Sequence, residues 1–361
     1  MKINLIGKHK AIINQPFTTH KYQAWPTVAK LKNGKIVAGA SAFRISHICP
    51  FGKTVIAYSD ENGTSFTPPV AVIDTPLDDR DAGLCPFGES GLIVTSFNNT
   101  VAFQRKINAE RRKEGSPERA YVDAYLNTVS EEDEQKYLGN TFRISYDNGV
   151  TFGELHKSPI TSPHGPVELS DGRVLWVGKA DAEEQIYVYE INTENGSMKY
   201  IGTINLDGIK ALGRIPCEPY MIQLDDGSLL CHIRAHRYTE SEALTIYQCV
   251  SVDGGKSWSV PAQIIDDCDG APSHIMKHSS GLLVATYGHR RPPYSIMAMF
   301  SRDGGKTWDK NYPLYSNNVS WDLGYPSTVE LADGNLLTVF YATDAKGEPA
   351  RIFAQKWNFE E

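Results

Sequence analysis

The stretch IPCEPYMIQLDDGSLLCHIRAHR, residues 215–237, holds a carboxylate, Glu218, and a guanidinium, Arg234, with 15 residues between them. An Asp-Asp-Gly turn lies in the middle, flanked by apolar runs. That is a hairpin pattern, because Gly accepts the positive φ of such turns. Closing the hairpin brings Glu218 back beside Arg234. Such a pair is either a structural ion pair or part of a site that binds an anion and moves protons. Other residues could join it: Tyr325 in WDLGYPSTV, Arg290 and Arg291 in YGHRRPPYS, Arg44 in ASAFRISHI, and the acidic run Asp78, Asp79, Arg80, Asp81. Guanidinium groups grip a carboxylate through two parallel hydrogen bonds, and imidazoles and carboxyls trade protons near neutral pH. The histidines are scattered, with no HxH or HExxH spacing, so neither a metal nor another cofactor is expected.

What must position these groups is a repeat. A few apolar residues, a polar turn ending in Gly and a second apolar run recur at 28–41, 84–97, 166–179, 220–233, 275–288 and 328–341. The turn glycines are Gly34, Gly91, Gly172, Gly227, Gly281 and Gly334, spaced 57, 81, 55, 54 and 53 residues apart. Six units of about 55 residues predict six four-stranded blades of a β-propeller in a single domain, 1–361. A second motif recurs inside the units: SYDNGVTF at 145–152, SVDGGKSW at 251–258 and SRDGGKTW at 301–308, with weaker copies at 59–66 and 192–198. Its Asp caps backbone N–H groups and its Gly takes the unusual φ, which makes it a turn and not a metal loop.

The last unit ends in ARIFAQKWNFEE with no such turn, so it has three strands of its own. INLIGKHKAII, near the start, supplies the fourth and removes the open edge. The 81-residue interval contains an insertion, 98–139, that is charged and partly helical in period. A lid over a site, a contact between copies of the chain in a homo-oligomer and a solvated surface helix would each account for it.

The net charge of −7 argues against a nucleic-acid partner. No apolar run is long enough to span a membrane, and the start does not read as a secretory signal. Six cysteines without CxxC pairs read as reduced, buried thiols, and the expected setting is the cytoplasm.

In a propeller blade the innermost strand begins, and the second strand ends, on the same face. The start of the first strand therefore presents Glu218, Tyr325, Asp81, His164 and His274, and the end of the second presents Arg44, Arg234, Arg290 and Arg291. The repeated Ser-x-Asp turns fall on the opposite face.

The Ser-x-Asp-x-Gly-x-Thr-Trp motif is the Asp-box, and six such blades resemble the sialidase (neuraminidase) superfamily over essentially the whole chain. The resemblance implies a glycoside hydrolase acting on a small carbohydrate. A Tyr is the nucleophile, a Glu activates it, an Asp is the acid/base, and three arginines hold a substrate carboxylate. Carried over by motif, Tyr325 is the nucleophile, Glu218 its base, and Arg234 with Arg290 or Arg291 are arginines of the triad. Two departures stand out. The position of the first triad arginine, in YQAWPTV, holds Ala24, although Arg44 is retained after the first hairpin. The acid/base Asp is missing from RISHICPFG, which offers His47 and Cys49; Asp81 and Asp322 are the other candidates. These departures point to an acidic or modified sugar. Two further readings stay open. A uronate lyase would use His164, His274 or Tyr325 as base, and a sugar-binding propeller would stack its ligand on Trp25, Trp176 or Trp321.

Overall fold

A computed structural model describes residues 1–13, 19–237, 244–265 and 272–360. Among the cysteines, Cys268 lies outside the described residues, and Cys49, Cys85, Cys217, Cys231 and Cys249 are buried thiols. The six blades are each a four-stranded antiparallel sheet. Their inner hairpins are Tyr22–Lys30 with Ile36–Arg44, Leu84–Phe87 with Gly91–Phe97, and Val167–Glu168 with Val174–Ala180. The second half of the ring has Ile215–Gln223 with Leu229–His236, His274–Lys277 with Leu283–His289, and Gly324–Glu330 with Leu336–Ala342. The strand Lys2–Ile13 is the outer strand of the sixth blade and pairs antiparallel with Arg351–Glu360. The ring is closed by joining the two ends of the chain, as the missing last strand predicts.

Core residues lie between blades. One cluster joins Tyr220, Leu230 and Ile246 of blade 4 to Ile275, Leu283, Tyr287 and Met299 of blade 5. The Asp-boxes tie adjacent blades together. In the third full copy, the Thr307 N–H and hydroxyl donate to Asp303 at 2.8 and 2.6 Å, and the Gly305 N–H donates to Ser301 Oγ at 2.8 Å. Gly305 has φ +88°, and a Cβ there would sit 2.9 Å from Leu230 of the preceding blade. The Trp308 ring packs on that same blade, its Nε1 donating to Gln248 at 2.8 Å. The motif is a turn, as its chemistry suggests, and its aromatic ring is a staple to the neighbouring blade.

The hydrogen bonds to Asp147, Asp253 and Asp303, chiefly from Thr151, Ser257 and Thr307, hold these carboxyls down at about 2. A depressed carboxyl stabilises the fold above its unfolded value, near 4, and that contribution is lost as pH falls toward 2. Changing all three to Asn is expected to lower the melting temperature at pH 7. In a pH series of thermal melts, the gap from the parent should close between about pH 4 and pH 2.

The insertion forms three helices, α1 (Val101–Arg111), α2 (Pro117–Leu126) and α3 (Glu131–Tyr137), capped by Thr100, Ser116 and Ser130. It is docked rather than solvated. Val122 and Leu126 pack on Cys49 and Phe51 of blade 1. Gln104 Nε2 donates to Asp78 at 2.9 Å, and Arg112 donates to Ser46 Oγ at 2.6 Å and to the Ile48 carbonyl at 3.2 Å.

Candidate active site

The inner strands carry a repeated distortion at one end. The antiparallel register slips between Ala24 and Thr27, between Cys217 and Tyr220, and between Gly324 and Ser327. Inside each slip a non-glycine residue has positive φ: Trp25 at 54°, Glu218 at 50° and Tyr325 at 50°. Asp81, leading into the inner strand of blade 2, has φ 59°. Bulges re-aim side chains, and left-handed non-glycine residues are costly enough to mark functional positions. Here all four side chains line one cavity of about 1180 Å³ at the axial end of the ring. Cys217 and Glu218 both line it, although consecutive residues of a regular strand face opposite ways.

At its floor, Tyr325 Oη donates to Glu218 Oε1 at 2.5 Å. Arg234 Nη1 donates to Glu218 Oε2 and, at 3.2 Å, to Tyr325 Oη. Burial pushes the Glu218 carboxyl up, but Arg234, the Tyr325 hydroxyl and Arg290 outweigh it and hold it below its usual value. Burial and then the Glu218 charge push the Tyr325 phenol well above its usual value. The resting pair is thus a neutral phenol hydrogen-bonded to an ionised carboxylate. Asp81 is 7% exposed. Burial, then Glu218, raises its carboxyl to about 7 against the opposing pull of Arg80.

Arg290 completes this wall. Its Nε donates to the Leu323 carbonyl at 2.9 Å and its Nη2 to Tyr341 Oη at 3.0 Å. Tyr341 in turn donates to Asp322 Oδ1 at 3.0 Å. Asp322 also accepts from Tyr22 Oη at 2.8 Å and pairs with His47 Nδ1 at 3.0 Å. Burial lowers His47, with Asp322 opposing and Arg80 and Arg290 reinforcing the fall. Trp321, 56% exposed, stands at the mouth. Facing into the same cavity from α1 are Phe103, Ile107 and Arg111, so the insertion is part of the wall.

The cavity thus brings together Tyr325, Glu218, Asp81, His47, Arg234, Arg290 and Trp25, with Asp322 directly behind His47. Five expected residues lie elsewhere. Arg44 is fully buried beneath Trp25, its guanidinium bound to Asp78 at 2.5 and 3.1 Å, Ser41 at 2.9 Å and the His47 carbonyl at 3.0 Å. Those bonds occupy the donors that a substrate carboxylate would need. Arg291 is exposed and outside the cavity lining. His164 and His274 are buried on the axis below, 5.2 Å apart, with Tyr220 stacked 4.7 Å from His274. Burial lowers both imidazoles, His274 to about 3. Trp176 is a core residue that donates to Ser162 Oγ at 2.8 Å. Trp25 is only 2% exposed and carries the Arg80 guanidinium 3.9 Å above its ring.

Lys179, Cys217 and His236 line the cavity without having been singled out, and Arg80, named only as part of an acidic run, lines it too. One signal was present in the sequence. Trp25, Glu218 and Tyr325 each precede a proline, and each lies nine residues before its turn glycine. Among the described residues no cluster of His, Cys, Asp and Glu could hold a metal, and no helix is long and apolar enough to cross a membrane.

Comparison with known proteins agrees with this architecture. A protein of unknown function from Dyadobacter fermentans superposes over 99% of both chains with a TM-score of 0.77 and 18% identity. An intramolecular trans-sialidase from Ruminococcus gnavus matches over 97% of both chains at 0.63 and 13% identity. A Trypanosoma rangeli sialidase matches 98% of this chain and 57% of its own at 0.60 and 14% identity. No curated protein sequence matches. The family model described as BNR repeat-like domain matches residues 120–338, and the chain belongs to that family.

Proposed function

We propose that this protein is an exo-acting glycoside hydrolase for a sugar bearing negative charge. The observation that carries the reading is the contact of the Tyr325 hydroxyl with the ionised Glu218, beside Arg234. As the phenol oxygen attacks an anomeric carbon, its proton passes to Glu218. A nucleophile that is neutral until it attacks suits an anionic substrate, which a carboxylate nucleophile would repel. Five cations, Arg80, Arg111, Lys179, Arg234 and Arg290, line the cavity against two carboxyls, Asp81 and Glu218. That local excess attracts an anion despite the chain's net charge of −7. The volume, near 1180 Å³, suits a sugar and part of what it is attached to. A cytosolic setting, where its buried thiols stay reduced, would fit work on imported oligosaccharides.

The lyase reading loses support because its histidine bases, His164 and His274, sit on the axis beneath the cavity floor. The test is a panel of sialosides, uronosides and other anionic glycosides, assayed for released reducing sugar and for ultraviolet-absorbing unsaturated product. Reducing sugar without unsaturation is the expected result. Glu218→Gln is expected to cut turnover by about 10²-fold or more. Binding without cleavage across the panel, or unsaturated product, would sink the hydrolase reading.

A further inference from the structure

Where the family pattern calls for an acid/base Asp, this chain has none, and the hydrolase reading leaves open which group protonates the leaving oxygen. We infer that His47, oriented by Asp322 and Tyr22, is that group, and that the leaving part of the substrate passes over it. The inference rests on the hydrolase reading.

Depth in the cavity is the first argument. Trp25, Glu218 and Tyr325 are bulge residues of inner strands, Asp81 leads into a fourth, and together they form the floor. A sugar whose anomeric carbon meets Tyr325 occupies that floor. The group it is linked to must then run outward. His47 is on the loop after Ile36–Arg44, and it borders three spaces at once. One is the main cavity; one is a neighbouring cavity of about 980 Å³ shared with Tyr22, Val319, Asp322 and Thr343; one is a recess of about 310 Å³ beside Arg111, Arg112 and Ser116. The outlets of the sugar site therefore meet at this imidazole. Asp81, the rival proton donor, is on the floor beside Glu218, where it faces the sugar and not its leaving group.

Orientation is the second argument. Tyr22 gives its hydroxyl hydrogen to Asp322 Oδ2 at 2.8 Å, and Tyr341 gives its own to Oδ1 at 3.0 Å. The remaining contact to that carboxylate, from His47 Nδ1 at 3.0 Å, is then made by an Nδ1–H. Tyr22 Oη lies 2.9 Å from the same nitrogen and can only accept from it. Nδ1 is thus fixed as a donor, and proton exchange with substrate falls to Nε2. The Trp25 ring, edge-to-face at 5.0 Å, holds the imidazole plane.

The step balances. Tyr325 oxygen bonds the anomeric carbon while the bond from that carbon to the leaving oxygen breaks. The phenol proton goes to Glu218, and the leaving oxygen takes the Nε2 proton of His47, which enters the step as the imidazolium, a form that the Asp322 carboxylate on Nδ1–H favours against burial. In the second step a water oxygen bonds the anomeric carbon while the bond from that carbon to Tyr325 oxygen breaks, His47 Nε2 takes a water proton and returns to the imidazolium, and the Tyr325 oxygen recovers its proton from Glu218. The net change is glycoside plus water to sugar plus alcohol.

The experiment compares two glycosides of the sugar found in the panel, one with a para-nitrophenol leaving group and one linked to a second sugar. Nitrophenol leaves without a proton; a sugar alcohol does not. His47→Gln is expected to slow the sugar-linked substrate by about 10²–10⁴-fold and the nitrophenyl substrate by less than about tenfold. Asp322 is a positioning residue acting through His47. Asp322→Asn is expected to give the same selective loss at smaller size, where a merely structural role would lower both rates together. His47→Asn guards against a folding defect peculiar to one variant. Equal losses on both substrates, or a selective loss in Asp81→Asn and none in His47→Gln, would overturn the inference and leave the hydrolase reading standing. If the unaltered enzyme cleaves neither glycoside, the hydrolase reading fails and takes this inference with it.

Discussion

Changing Tyr325 to Phe is expected to cut turnover by about 10³-fold or more while leaving the propeller folded. The substitution deletes one oxygen, which contacts Arg234 and Glu218. Glu218 keeps its ion pair with Arg234, so no buried charge is left alone. The lost hydrogen bond from a phenol to a carboxylate is worth about 1.5–3 kcal/mol, too little to unfold a ring of this size. Substrate affinity should change little, because Arg80, Arg234 and Arg290 remain in place. The signature is therefore a large fall in kcat with a small change in KM, read by steady-state kinetics on the substrate from the panel. A variant that keeps more than a tenth of parental turnover would remove Tyr325 from the chemistry. A variant that unfolds would be detected by its melting curve, and Tyr325→Trp or Tyr325→Leu would then separate packing from reaction.

Much of this arrangement was legible because propeller geometry depends on turns. The Gly-ended hairpins at Gly34, Gly172, Gly227, Gly281 and Gly334 and the Asp-boxes at Asp147, Asp253 and Asp303 place each blade, and they require the start of the first strand to meet the end of the second. Glu218 and Arg234 follow from that rule alone. Depth along the axis was not legible. His164 leads into an inner strand and His274 begins one, much as Glu218 and Tyr325 open theirs, yet both imidazoles are held below the floor. The left-handed residues that lift Glu218 and Tyr325 into the cavity are set by a backbone distortion, which hydrophobic alternation does not register.

Competition for donors was equally hidden. Arg44 ends its strand on the working face, and only a folded chain reveals that Asp78 takes its guanidinium first, with Ser41 and the His47 carbonyl completing the set. Asp78 is also where α1 attaches, through Gln104. The insertion therefore grips the same carboxylate that keeps Arg44 out of the site. Arg80, two residues on, lies over the Trp25 ring and lines the cavity that Arg44 does not reach. A short acidic run thus decides which arginine lines the cavity, and no spacing rule predicts that outcome.

Changing Asp81 to Asn is expected to stabilise the protein above pH 7, a direction opposite to that of most substitutions in a buried site. The folded chain holds the Asp81 carboxyl at about 7 because burial and the Glu218 charge disfavour ionisation. The unfolded chain ionises it near 4. Between those values the unfolded state is favoured by about 1.4 kcal/mol per pH unit, so the parent loses stability as pH rises through this window. Above pH 7 the full cost, on the order of 3–4 kcal/mol, is present in the parent and absent in the variant. Near pH 4 the two should unfold alike. Denaturant unfolding at pH 4, 6 and 8 measures this directly, and a gap that does not widen with pH would refute the assignment. The same ionisation should appear in function. A neutral Asp81 donates a hydrogen bond to the sugar, whereas an ionised one repels an anion. The parent's kcat/KM for an anionic glycoside is therefore expected to fall above pH 7, and the Asn variant, whose amide can still donate, should lose that alkaline limb. The paired pH profiles of stability and kcat/KM thus test on one residue both that the fold holds an unfavourable carboxyl at the expense of stability and that it does so for a substrate.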